Sequence, residues 1–172
     1  MLEKNEIEQL DKAWVIIRII WGALVGSLAV YLLVCMIMKD QLRPMEIGFP
    51  LETLKIVLFG VSLLTFFSIY YIRKAMLQMS IRGSASPFMP NASAQIQHPA
   101  AGKYLTAIIV AMALSESIGV YGLVLFFLSK DSGVLYQFIV MSAIAMLYYR
   151  PRKEELLQLA VEMNKQGGEW GH

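Results

Sequence analysis

Glu116 is the residue of this chain whose type and position could do chemistry. It falls near the middle of an apolar run of about 25 residues that contains Ala111 to Leu128, long enough to cross a bilayer. No other acidic residue sits at depth in an apolar run. A carboxyl in hydrocarbon costs about 3 kcal/mol on insertion scales, so its presence points first to a task. Three tasks suit it: binding and exchanging a proton or sodium ion, fixing helix register through a hydrogen bond, or serving a catalytic site. The last needs a nucleophile with a base, or a metal cluster. Ser115 and Ser117 flank Glu116, but adjacent residues on a helix point in different directions. No His, Lys or Asp accompanies them within Tyr104 to Leu128. The chain is therefore read as a non-enzyme. Cys35 is the lone cysteine, and His98 and His172 lie outside the apolar runs. No disulfide, metal or other cofactor is expected.

Small residues surround the acid. Ala107, Ala111, Ser115 and Gly119 recur every four residues, with Gly122 one turn further on. Such a stripe lets helix backbones approach closely. Glu116 is one position round from it, about 100° on a helix, at the edge of a tight helix contact. Burial disfavours a charged carboxyl, so Glu116 is expected to be hydrogen-bonded to another helix. By depth, Tyr31, Ser62, Thr65 and Ser142 are the candidate partners. Arg18 is a poorer one, roughly 12 Å away in depth at 1.5 Å per residue; it is expected to snorkel to the headgroups. Ser62, Thr65 and Ser68 are expected to bond back to their own helix. A second stripe, Gly22 and Gly26 with Ala23 and Ser27, is expected to pack within the chain or to support self-association.

The elements that must hold these residues are helices. The chain is 57% hydrophobic and 16% charged, against about 45–50% and 25% in soluble domains, and the surplus is gathered into long runs. The reading is an all-α membrane protein, a single domain over 1–172, with four transmembrane helices at about 13–38, 51–72, 103–128 and 133–149. An N-x-x-E pattern at Asn5 and Glu8 suggests a helix starting near Glu6. The first run is too long for a signal-peptide core and lacks a basic leader, so it is expected to be retained. Residues 80–102, rich in Ser, Ala, Pro and Gly, are expected to form a flexible cytoplasmic loop. The sequon at Asn91 to Ser93 is discounted on that side of the membrane. The short turn after Leu128 demands an antiparallel helical hairpin. Residues 151–166 place Leu156, Leu159, Ala160 and Met163 on one face, with Pro151 at the start and Gly167 as a stop. This reads as an amphipathic helix on the membrane or on a partner.

Eleven Lys and Arg residues fall on the side of the N-terminus, the 80–102 connection and the C-terminus, and four on the other. Both termini are therefore expected in the cytoplasm. A net charge of +2 with no basic block excludes nucleic acid as a partner. The expected partners are the bilayer and other membrane subunits or a second copy.

The segment Ala113-Leu-Ser-Glu-Ser-Ile-Gly-Val-Tyr-Gly-Leu-Val124 resembles the carboxylate-bearing helix of the proteolipid, or c, subunit of rotary ATP synthases, whose pattern is A-L-x-E-A-x-x-I-Y-G-L-V. The resemblance implies that Glu116 is an ion-binding acid, with Ser115 and Tyr121 as companion candidates and Tyr121-Gly122-Leu123 matching the segment that follows it. The whole pattern is similar to four-span bacterial membrane proteins of unassigned function, which implies the bacterial inner (cytoplasmic) membrane. The expected function is a structural or accessory subunit of a membrane complex. The alternative is a proton- or sodium-binding, proteolipid-like protein that uses Glu116.

Overall fold

The computed structural model describes residues 4–41, 50–81 and 99–169. Among them every regular element is helical: α1 (Lys4–Met38), α2 (Leu51–Ile81), α3 (Pro99–Ser129), α4 (Ser132–Tyr148) and α5 (Lys153–Glu169). α1, α2 and α3 are each long and apolar enough to cross a membrane, and α4 with α5 passes the same test as a single broken span. Alone, α4 has 17 residues, or roughly 25 Å at 1.5 Å per residue.

Several boundaries differ from the sequence reading. α1 begins at Lys4, so Asn5 lies within the helix and does not cap it. Helix occupies 80–81 and 99–102, shortening the expected loop; Pro99 opens α3, where a missing N–H costs nothing. The rest of that loop, with the Asn91–Ser93 sequon and His98, lies outside the described residues. α5 starts after Pro151 and continues through Gly167 to Glu169. Glycine weakens a helix by about 1 kcal/mol without forbidding it.

The chain divides into two compact units. One comprises residues up to Trp21, Tyr71–Ala111 and Arg150 onward. Its core is Leu10, Ala13 and Ile17 of α1, Tyr104, Leu105 and Ile108 of α3, and Leu156, Leu159 and Ala160 of α5, all buried. The apolar face of α5 is thus covered within this unit by the chain itself. A partly buried polar knot holds it. Arg73 pairs with Glu155, and the fully buried Tyr104 hydroxyl lies 3.2 Å from the same carboxylate. That hydroxyl also accepts from Arg152 N at 2.9 Å and faces Arg152 O at 3.1 Å. Lys153 Nζ reaches Asp11 Oδ1 at 2.7 Å.

The other unit comprises Gly22–Tyr70 and Met112–Tyr149. Its core is Ile118 and Leu125 of α3 with Phe138 and Ala145 of α4, against which Leu54, Leu58 and Phe66 of α2 pack. The α3–α4 turn is two residues long. Lys130 adopts φ 57, and Asp131 caps α4 by accepting from Gly133 N at 2.9 Å. Ser142 Oγ donates to Ser115 O at 2.6 Å, while a Cβ on Gly122 would sit 2.5 Å from Phe138 Cβ. Contacts that climb one helix while descending the other make α3 and α4 an antiparallel hairpin. Phe59 meets Phe138 edge-on and Tyr149 OH donates to Phe66 O at 3.0 Å, so α2 runs parallel to α4. α3 is the enclosed element: 44% of its most apolar window is buried, against 11% for α1 and α2. Being apolar all round, it has no polar face to give to water.

Candidate functional site

Glu116 projects from α3 within the second unit and is half-buried. Its Oε1 accepts two hydrogen bonds from α1, from Ser27 Oγ at 2.6 Å and from Tyr31 OH at 2.7 Å. Ser27 and Tyr31 are four residues apart, so one face of α1 presents both hydroxyls to one oxygen. Next to them, Leu28 packs on α3 so closely that a Cβ on Gly119 would lie 3.0 Å from its Cδ2. Leu28 is buried. Glycine at 119 thus brings α1 near enough for two short side chains to reach the acid.

The protons of this cluster can be counted. Ser27 Oγ has one hydrogen and two oxygen neighbours, Glu116 Oε1 and Leu24 O, the latter at 2.7 Å. With the acid ionised, both hydroxyls donate to Oε1. With the acid neutral, a chain runs from Tyr31 OH to Glu116, from Glu116 to Ser27 Oγ, and from Ser27 to Leu24 O, each proton having one acceptor. The same heavy-atom positions accommodate either hydrogen-bond arrangement.

The remaining residues singled out in the sequence fall elsewhere. Ser115 is fully buried and lends its carbonyl to Ser142. Tyr121 packs against the α3–α4 core; five residues from Glu116, it is turned about 140° away on the helix. Ser62 and Thr65 donate to their own helix at Leu58 O and Val61 O, each at 2.8 Å. Ser117 likewise donates to Leu114 O. Ala107 and Ala111 are buried in α3, and Gly122 meets Phe138 as described. Gly22 and Gly26 face open space, with nothing within 4 Å of a built Cβ. Among the described residues no group of three or more His, Cys, Asp or Glu could hold a metal ion.

Tyr31 was legible as a partner by depth. Ser27 was not, because it reads as one more small residue in the Gly22–Ser27 stripe. Its signal was the four-residue spacing to Tyr31. The Arg73, Tyr104 and Glu155 knot also escaped the sequence, since Arg73 and Glu155 read as ordinary flanking charges. Comparison of the chain with protein-family models, with curated proteins and with solved structures returns no match.

Proposed function

We propose that this chain is a four-span integral membrane protein acting as a structural or accessory subunit of a membrane complex, with Glu116 as the strut between α1 and α3. The observation that carries the reading is the pair of α1 hydroxyls converging on Oε1. A hydrogen bond between membrane helices contributes about 0.6 kcal/mol on average and up to about 1.7. Two on one atom fix rotation and register together. The open Gly22–Gly26 face leaves room for a helix of another subunit, and the outward apolar faces of α1 and α2 suit lipid.

The test compares two substitutions. Glu116→Gln keeps an acceptor oxygen and the side-chain length, whereas Glu116→Leu removes all polarity. The strut reading expects the Gln variant to retain folding and copurifying partners in mild detergent, and the Leu variant to lose them. Equal behaviour of the two would sink it.

A second reading is favoured by the proton count. A cluster whose hydrogen bonds close with or without a proton on the acid suits a proton- or sodium-binding protein. In that case Glu116→Gln stays folded but abolishes ion flux in proteoliposomes, and sodium protects Glu116 from a hydrophobic carbodiimide.

A further inference from the structure

Trp14, Arg18 and Trp21 are spaced i, i+4, i+7, which aligns them on one face of α1. That face looks onto the link between α4 and α5, Arg150-Pro-Arg-Lys153, within the first unit. Between them lies a cleft of about 320 Å³. The link is built and not loose. Pro151 restricts the backbone, the buried Tyr104 hydroxyl engages Arg152 through both N and O, and Lys153 is tied to Asp11 on α1.

The charges in this cleft do not balance. Among the described residues Arg18, Arg150 and Arg152 make no ion pair, and all three are exposed. Lys153 is already paired. Glu154 is the one carboxylate among the lining residues. Three guanidinium groups against one carboxylate attract an anion, and the planar fork of Arg matches phosphate oxygens two at a time. The two half-buried indoles are the side chains that settle at headgroup level. Val15 and Ile19, on the same stretch of α1, are exposed and apolar, which gives an acyl chain a path beside the cleft.

We propose that this cleft binds the phosphate headgroup of an anionic phospholipid, with the acyl chains lying outside along α1. At its size, near the lower end for small-molecule sites, it takes a headgroup and not a whole lipid. The inference rests on the membrane-spanning reading of α1.

The experiment uses the full chain, recovered in mild detergent from bilayers of mixed phosphatidylglycerol and phosphatidylcholine, with retained lipid counted by native mass spectrometry. Phosphatidylglycerol is expected to be retained selectively. Replacing Arg18 and Arg150 with Gln weakens retention by about fivefold per arginine. Arg150→Gln alone, in the exposed link, carries the test if the double variant does not fold. Lys74→Gln with Lys165→Gln, exposed charges outside the cleft, leaves retention unchanged. Equal loss in that control would mean diffuse attraction and overturn the site. Displacement of the lipid by millimolar glycerol 3-phosphate would assign the cleft to a soluble phosphate ester and overturn the lipid. Failure of the chain to enter bilayers overturns both the inference and the membrane reading, and is seen before any lipid is counted.

Discussion

The contact between Glu116 and the α1 hydroxyls is pairwise chemistry, so its energetics are open to a thermodynamic cycle. Ser27→Ala and Tyr31→Phe each remove one bond to Oε1. Each is expected to cost about 0.6–1.7 kcal/mol in a membrane unfolding assay. In the Glu116→Leu background neither should cost as much, because the acceptor is gone. A full, additive loss in that background would show that the hydroxyls act elsewhere. Cys35 supplies an independent check of burial. At 2% exposure it is expected to resist a membrane-impermeant maleimide in the native protein and to react once the protein is unfolded in detergent.

At the scale of elements, much was legible and the reasons are specific. The apolar runs pointed to α1 through α4, because long unbroken hydrophobicity has few other solutions, and the helical spacing of Leu156, Leu159 and Ala160 pointed to α5. The α3–α4 hairpin followed from a turn too short for any other geometry. The helix ends were harder. Pro151 and Gly167 each read as a boundary, yet α5 starts two residues after Pro151 and runs through Gly167, while Pro99, read as part of the loop, opens α3. The destination of α5 was also hidden: a face of Leu156, Leu159 and Ala160 looks the same whether it meets lipid, a partner or its own chain. The small-residue stripes split in the same way. Gly119 and Gly122 touch neighbouring helices, whereas Gly22 and Gly26 face open space, and nothing in residue type separates the two. Gly122→Ala is expected to destabilise by about 1–3 kcal/mol, since its Cβ would strike that of Phe138 and overpacking of a fixed contact is costly. Gly22→Ala should be neutral for the isolated chain. A loss of stability at Gly22 comparable to that at Gly122 would contradict this packing.

For the whole molecule, the first question is sidedness. A cysteine introduced at Glu8 and one introduced at Lys165, each in a Cys35→Ala background, should be labelled from the same side of sealed vesicles, and one at Lys130 from the other. Labelling of Lys130 with the termini would overturn the four-span topology. The Arg73–Glu155 pair bears on the integrity of the first unit. Arg73 is largely enclosed, with 13% of its side chain exposed, and its Nε has no partner. Removing Glu155 leaves that guanidinium uncompensated. Glu155→Leu is expected to cost about 1.5–3 kcal/mol, the scale of a hydrogen bond to a charged group. Arg73→Leu combined with Glu155→Leu should cost less than Glu155→Leu alone, because no orphaned charge remains.

The bonds from α1 to Glu116 span 85 and 89 residues of chain. At ribosomal rates that separation is roughly 4–18 seconds of synthesis. Throughout that interval Ser27 and Tyr31 have been made and their acceptor has not. A nascent chain halted after α2 therefore holds Tyr31 without the carboxyl oxygen it donates to, while Ser27 is left with Leu24 O of its own helix; the arrival of α3 gives the two hydroxyls their shared acceptor.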